Sequence, residues 1–506
     1  MTFKVAAWAL ALLALAVLAA SVWFAIGRNL DFAWTSIRLA PAFALARGEA
    51  LYSMPDRLPW VMVGYGPLYP VAYLPCVFAR HPVTAVSAAT LLAHFYILAP
   101  VAALCSLGAR RLQADNAGRP LHWIFTFLLF ALITTIAPSL TYVTAGVHAD
   151  APAIGLFLLA CYSVLRCDGA SNATATGRGL AAAGVLAGLS ACCKLNLAAG
   201  VAALCVWVVL FGGWRRAAIL AASAALAVAV VYGWAVAQAG FDAVWLNVRQ
   251  PARMPWFTFH ELGAISLSGS SHEIGDKVRT FVALARSYLQ DYGIVAVAVV
   301  IVTRWSRAGA DTGARVVWFF LVVTLLMLPA SIASLGKYGG DVNSRALVSL
   351  PLALAALFAL AAMVQGGNRR ALLATYGALA GMIFVAGLSV ADGIRKSAAS
   401  MPTTMGEAYA VVATDPARWY FPYDPLAHLL AEDRLRPNID VVYSYAMSGM
   451  PVDETVFRSA MPENLRYIAV PPALTGWGVI ELRRLLPEYM NPTREMNFPR
   501  HQVYER

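Results

Sequence analysis

The chain has 506 residues, of which 60% are hydrophobic and only 13% are charged, and its formal net charge is +11. Its mean hydropathy of +0.65 is far above that of soluble globular domains. The composition predicts an integral membrane protein and excludes an ordinary soluble enzyme. A nucleic-acid partner is not expected either, because Lys and Arg form no cluster interleaved with aromatic residues in a polar stretch.

Apolar runs recur along most of the chain, and since about 20 residues of helix cross the hydrocarbon core of a bilayer, these runs predict transmembrane helices. We therefore expect an all-α polytopic fold with about eleven spans. The predicted spans are residues 5–26, 83–107, 121–137, 151–165, 179–193, 195–210, 217–237, a run ending at 303, 316–333, 346–364 and 372–391.

Short basic clusters lie in alternate loops between these spans, as at Arg110 and Arg111 or at Arg215 and Arg216. The positive-inside rule places the clusters in the cytoplasm, which predicts a cytoplasmic N-terminus and an exterior C-terminus. Four arginines lie on the opposite side, in a long exterior loop over residues 27–82. They are Arg28, Arg38, Arg47 and Arg57.

Within this first exterior loop, apolar residues at helical spacing predict a helix from Phe32 to Arg47 that lies along the membrane interface and is ended by Gly48. The Pro-rich residues 67–80 are not expected to cross the membrane. A second exterior region, rich in aromatic residues, is predicted over residues 238–290.

The tail differs in composition from the rest, because Asp, Glu, Arg and Pro become frequent again. We predict a transmembrane domain over residues 1–391 and a small exterior α/β domain over residues 392–506. Within that domain, residues 441–445 and 467–470 are predicted as short strands and residues 478–486 as a helix.

Several polar fragments follow one another in a fixed order on the predicted outer side. They are Asp31 after the first span, Ala42 through Gly48 to Tyr52, residues 65–70, residues 148–152, Gly188-Leu189 before Lys194, residues 337–343 and residues 420–426. This order resembles the GT-C superfamily of membrane glycosyltransferases, in particular the bacterial protein mannosyltransferase and aminoarabinose transferase-like group. The similarity is best over the first 210 residues.

The resemblance implies transfer of a hexosyl or pentosyl unit from a polyprenyl-phosphate sugar to a glycan, lipid or protein acceptor. It also implies a bacterial inner membrane, with the C-terminal domain in the periplasm. Inverting transfer needs a carboxylate that takes the proton of the acceptor. Asp31 is the predicted catalytic base and Asp150 a second catalytic acid, although each could instead cap a helix.

Cations on the outer side are candidates for holding the donor phosphate. Lys194 interrupts an apolar stretch, where a charge is costly and indicates function, although it could also snorkel to water. Lys337 and Arg345 flank a Gly-rich turn and are predicted to hold the same phosphate, with a solvated loop as the alternative.

The remaining candidates are Tyr52, Tyr65 and His148, predicted to bind substrate, although Tyr at this depth is also typical of an interfacial belt. His148 and Asp150 are the candidate ligands of a divalent cation, Mg or Mn, that would neutralise the leaving phosphate.

Other function classes are open. A secondary transporter or a lipid-linked sugar flippase would be expected to show broken helices near the middle of the membrane and two matching halves, and the sequence indicates neither. A scaffold that kept the fold and lost the reaction is a third possibility. The sequence contains no P-loop, GxSxG, CxxC or HExxH motif to indicate ATP hydrolysis, serine hydrolysis or zinc proteolysis.

Overall fold

The structure is a computed structural model of the whole chain. It describes residues 2–62, 64–112, 121–168, 173–257, 270–305, 312–337, 340–365, 369–398, 403–472, 479–489, 491–492 and 500–506.

The first part of the chain is helical. Its helices are α1 (Thr2–Asp31), α2 (Trp34–Ala46), α3 (Tyr69–Ala72), α4 (Pro82–Leu112), α5 (Leu121–Ile136), α6 (Pro138–Ala145), α7 (Asp150–Cys167), α8 (Ala173–Cys193), α9 (Ala198–Gly212), α10 (Trp214–Ala239), α11 (Phe241–Arg253), α12 (Ile274–Trp305), α13 (Thr312–Gly336), α14 (Ala346–Gln365) and α15 (Arg369–Ala398). A two-residue hairpin of β1 (Trp256–Phe257) and β2 (Ser270–Ser271) precedes α12.

Ten helices of the described residues are long and apolar enough to cross a membrane. An eleventh span results if α5 and α6, which meet at an angle of 98°, count as one crossing. The eleven predicted spans are confirmed as helices. The predicted span over residues 121–137 corresponds to α5 and ends before Pro138, whereas the short helix α6 after it was not predicted. Helix α12 begins at Ile274, within residues predicted to form an exterior loop, so that boundary was wrong.

Small residues allow the spans to approach closely. A Cβ on Gly184 would lie 2.2 Å from the carbonyl oxygen of Leu220, and one on Gly188 would lie 2.5 Å from that of Ala224. These glycines are four residues apart on α8, so they form a groove into which α10 packs. This close packing fixes α8, whose C-terminal end leads into the candidate site.

In the first exterior loop, α2 confirms the predicted helix. Nine of its 13 residues are buried. The loop also contains α3 and a 3-10 helix (Leu74–Phe78), which are too short to cross the membrane, as predicted. The exterior domain covers α2, because the Leu426 amide donates to Ser36 Oγ at 3.0 Å.

The C-terminal domain, which the sequence predicts to be exterior and which is named accordingly, contains five α-helices and one sheet among its described residues. Its elements are α16 (Thr404–Thr414), β3 (Trp419–Tyr420), α17 (Pro425–Glu432), α18 (Ile439–Met447), α19 (Glu454–Ser459), β4 (Tyr467–Val470), α20 (Val479–Leu485), β5 (Asn491–Pro492) and β6 (Gln502–Glu505). The strand order is β3-β4-β6-β5, with β3 parallel to β4 and the other pairs antiparallel.

The predicted strand over residues 467–470 and the helix near residues 478–486 are confirmed, but residues 441–445 form helix α18 instead of a strand. The reason is local capping. Asn438 accepts a hydrogen bond from the Val441 amide at 3.1 Å and starts the helix. Val441, Val442 and Tyr445 then pack together in one apolar cluster, which outweighs the β propensity of the two valines.

Candidate functional site

The site is built around Asp150, the first residue of α7, whose side chain is 1% exposed. Lys194 Nζ donates to Asp150 Oδ1 at 2.6 Å, and Asn343 Nδ2 donates to Asp150 Oδ2 at 2.7 Å. His148 Nδ1 also contacts Oδ2. A buried carboxylate is stable only when paired and hydrogen-bonded, and here three separate parts of the chain supply the partners.

Lys194 reaches Asp150 because the chain breaks between two spans. Helix α8 ends at Cys193, Lys194 is extended with φ −150° and ψ 117°, and a 3-10 helix (Leu195–Leu197) follows. The break leaves carbonyl groups at the C-terminal end of α8 without helical partners. The first exterior loop satisfies two of them: the Gly66 amide donates to Cys193 O at 3.2 Å and the Leu68 amide to Cys192 O at 3.1 Å.

Gly66 is required for this docking. A Cβ at this position would lie 2.0 Å from the carbonyl oxygen of Cys192, which is closer than real Cβ atoms approach backbone. The Gly66-Pro67-Leu68 fragment noted in the sequence therefore joins the loop to α8 directly beside Lys194.

A chain of hydrogen bonds connects this loop to the Asp150 cluster. Tyr52 Oη donates to the carbonyl oxygen of Tyr65 at 2.6 Å, and Tyr65 Oη lies 3.2 Å from His148 Nε2. Tyr73 Oη donates to the carbonyl oxygen of His148 at 3.0 Å. Burial lowers the pKa of His148, and the nearby Arg38 lowers it further. The ring is therefore neutral, with Nδ1 beside Asp150, whose backbone amide donates to it at 3.3 Å, and with Nε2 beside the Tyr65 hydroxyl.

Two cations near the Asp150 cluster have no carboxylate partner among the described residues. Arg38 donates from Nη1 to Tyr142 Oη at 2.6 Å and lies over the rings of Phe32 and Tyr142, at 5.5 and 5.6 Å. Lys337 directly follows α13 and forms a backbone bridge with Trp256. No Asp or Glu of the described residues lies within 4.0 Å of either cation.

Burial and, to a lesser extent, the neighbouring Lys194 ammonium lower the pKa of Lys337 to about 8. Lys337 is therefore mostly protonated at neutral pH, and it gains from any anion that binds beside it.

Not all predicted site residues join this cluster. Arg345 donates from Nη1 to Asp291 Oδ2 at 2.5 Å and from Nη2 to Ser287 Oγ at 3.3 Å, so its guanidinium is already paired. Asp31 Oδ1 accepts from the Thr404 amide at 3.1 Å, at the first residue of α16. Asp31 therefore connects the end of the first span to the exterior domain.

Three residues of the site were not among the sequence candidates: Arg38, Asn343 and Asp440. A signal existed for the first two. Arg38 lies on the outer side against the positive-inside rule, and Asn343 lies in the fragment that contains Lys337. For Asp440, in the first turn of α18, the sequence offered none.

A divalent cation on Asp150 and His148 does not fit these contacts well, because the Lys194 ammonium takes the position on Oδ1 and the Asn343 amide donates to Oδ2. Among the residues that the structure describes, no three His, Cys, Asp or Glu side chains are grouped as metal ligands. The Mg or Mn prediction stays untested, and the function proposed below uses no metal.

The chain is similar to the crystal structure of ArnT from Cupriavidus metallidurans bound to undecaprenyl phosphate, with 9% identity, 97% of each chain covered and a TM-score of 0.45. It is also similar to the archaeal oligosaccharyltransferase AglB from Archaeoglobus fulgidus in complex with an inhibitory peptide and a dolichol-phosphate. That match has 13% identity, covers 91% of this chain and 69% of the other, and has a TM-score of 0.38.

No family model matches the chain, and no curated protein matches it. At these identities and TM-scores, neither structural similarity establishes an activity for this protein.

Proposed function

We propose that this protein is a membrane glycosyltransferase of the GT-C type. It would move a hexosyl or pentosyl unit, with inversion, from a polyprenyl-phosphate sugar to a glycan, lipid or protein acceptor. The observation that carries the proposal is the pair of cations near the Asp150 cluster, Arg38 and Lys337, neither of which has a carboxylate of the described residues within 4.0 Å.

The positive charge near the Asp150 cluster favours an anionic ligand. Of the three cations Arg38, Lys194 and Lys337, Lys194 is already neutralised by Asp150. Arg38 and Lys337 would therefore hold the ligand. A phosphate at this position would accept hydrogen bonds from both, and a guanidinium suits bidentate contact with phosphate oxygens. The sequence also predicts that Lys194 and Arg345 hold the donor phosphate. In the structure each of them forms an ion pair with a carboxylate, Asp150 and Asp291 respectively.

The reaction needs few further groups. The acceptor oxygen or nitrogen attacks the anomeric carbon, the bond from that carbon to the phosphate oxygen breaks, and the phosphate leaves with the electron pair. A carboxylate takes the acceptor proton.

Asp31 stays the candidate base from the sequence. Both oxygens of Asp150 are engaged, so its proposed role is to hold Lys194 and His148. Tyr65, edge-on to His148 at 5.3 Å, and Tyr52, bonded to Tyr65, would line the sugar site.

The same proposal places the reaction outside the cytoplasm. The basic loop clusters are expected on the cytoplasmic side, and the site lies at the opposite ends of the spans, where the exterior domain covers it. A bacterial inner membrane, with this domain in the periplasm, fits that orientation.

The test is direct. Purified full-length protein is incubated with a panel of polyprenyl-phosphate sugars, and release of polyprenyl phosphate is measured. We expect release with at least one donor. Arg38→Gln and Lys337→Gln are each expected to weaken binding of the lipid phosphate at least about tenfold, because a charge-assisted hydrogen bond contributes about 1.5–3 kcal/mol.

Arg279→Gln is the matched control, since Arg279 is an exposed cation of α12 paired with Asp276. A chain that neither binds the lipid phosphate nor releases it from any donor would overturn the proposal. Transport of an intact lipid-linked sugar without release would instead favour the flippase alternative.

A further inference from the structure

The exterior domain brings one acid, Asp440, near Arg38 and Lys337. Asp440 lies in the first turn of α18, and two contacts hold this helix on the first exterior loop and its surroundings. Tyr445 Oη donates to the carbonyl oxygen of Ser53 at 2.7 Å, and Gln250 Nε2 donates to the carbonyl oxygen of Ser444 at 3.2 Å. The N-terminal end of α18 is thereby fixed relative to the transmembrane domain.

Asp440 lies between Ile439 and Val441, which belong to the same apolar cluster as Ile37, the neighbour of Arg38 on α2. Its carboxylate is in electrostatic reach of Arg38, of Lys337 after α13, and of the phenols of Tyr65 and Tyr69 in the first exterior loop. Three remote parts of the chain therefore contribute to this group of side chains.

Within the described part of the chain, no residue donates a hydrogen bond to the Asp440 carboxylate and no cation lies within 4.0 Å of it. The residue is only partly buried. The other two acids differ: Asp150 binds Lys194 and Asn343, and Asp31 accepts from the Thr404 amide.

The acidity of Asp440 suits proton transfer. Burial raises the pKa of Asp440 to about 6, although Arg38 and Lys337 oppose this increase. A carboxyl group with a pKa near the working pH is ionised at neutral pH and is still basic enough to take a proton in the transition state. An ordinary exposed carboxylate, with a pKa near 3.9, is a weaker base.

We infer that Asp440 is the general base of the transfer and that the exterior domain therefore contributes a catalytic residue to the site. The acceptor hydroxyl or amine binds beside Asp440, its oxygen or nitrogen forms the new bond to the anomeric carbon, and its proton passes to the Asp440 carboxylate. The bond between that carbon and the phosphate breaks, and the phosphate leaves with the electron pair against Arg38 and Lys337. This inference rests on the proposed function.

The experiment compares Asp440→Asn with wild-type protein, using the full chain in detergent and a donor that the wild type consumes. Two quantities are measured: the binding of undecaprenyl phosphate, and kcat for transfer as a function of pH. We expect Asp440→Asn to bind undecaprenyl phosphate at least as tightly as wild type, because a negative charge near Arg38 and Lys337 is removed. We expect its kcat to fall by about 100-fold or more.

The pH profile adds a readout that a structural role would not change. Wild-type kcat should rise with pH as Asp440 ionises, and Asp440→Asn should lack this rise. Glu463→Gln, an exposed acid of the same domain, is the control and should match the wild type in both measurements. A second variant, Asp440→Glu, keeps the acid and should retain more turnover than the amide.

Wild-type turnover in Asp440→Asn would overturn the inference, and so would loss of undecaprenyl phosphate binding together with turnover, because Asp440 would then support the fold. Neither result would affect the proposed function. If wild-type protein bound no undecaprenyl phosphate and released it from none of the donors, the proposed function would be wrong. The inference about Asp440 would then be wrong as well.

Discussion

Asn343 donates a hydrogen bond of 2.7 Å to Asp150 across 193 residues of sequence. The same carboxylate binds Lys194, which lies where the chain breaks between two spans. Three spans are thus tied together at one buried charge. Because a buried ionised group is costly without partners, this arrangement fixes the outer ends of α7, α8 and the segment before α14 relative to one another.

The first prediction concerns the Asp150–Lys194 pair. Lys194→Met leaves a buried carboxylate without its cation, and removing one partner of a buried pair typically costs about 3–5 kcal/mol. We expect Lys194→Met and Asp150→Asn each to lower the thermal unfolding temperature of the detergent-solubilised protein strongly. The double variant should be clearly less destabilised than the sum of the two. Additive effects would show that the two side chains are not coupled.

The second prediction concerns Gly66. In Gly66→Ala the new Cβ would meet the backbone of Cys192, which lies 2.0 Å away in the present arrangement, so the loop must move away from α8. We expect reduced thermal stability and reduced binding of polyprenyl phosphate. Gly233→Ala is the matched control, because a Cβ there meets nothing within 4 Å and alanine favours a helix. Equal behaviour of the two variants would exclude a special role for Gly66.

The third prediction is a pH dependence of ligand binding. Burial lowers the pKa of Lys337 to about 8, so in the free protein its ammonium is present below this pH and is lost above it. We expect the affinity for polyprenyl phosphate to fall as the pH rises past about 8. Lys337→Arg, which keeps its charge over this range, should bind with little change. A wild-type affinity that is constant over the same range would contradict the role of Lys337.

The fourth prediction separates the two candidate bases. In Asp31→Asn, the side-chain oxygen can still accept from the Thr404 amide, so the contact to α16 is preserved. If Asp440 takes the proton, this variant should keep most of its turnover in the donor panel, with unchanged abundance. A loss of turnover of about 100-fold or more would instead identify Asp31 as the base, as the sequence predicted.

The sequence correctly predicted the helices whose formation depends on local residues. The eleven apolar runs are confirmed as helices, and so is the helix after Asp31. The strand predicted over residues 441–445 was wrong, because its valines share a helix that Asn438 caps. The predicted span over residues 121–137 ends where α5 ends, before Pro138, but helix α6 after this break was not predicted.

The sequence alone determined that this protein crosses a membrane many times, because about 20 consecutive apolar residues suffice to define each span and need no knowledge of the neighbours. It also located Asp150, Lys194 and Lys337 at the ends of those spans. Only the tertiary structure decided the partners: that Lys194 is neutralised by Asp150, that Arg345 is paired with Asp291, and that no Asp or Glu of the described residues lies within 4.0 Å of Arg38 or Lys337. Charge pairing depends on distances of a few ångströms between remote segments, and such distances exist only once the helices and the exterior domain have packed.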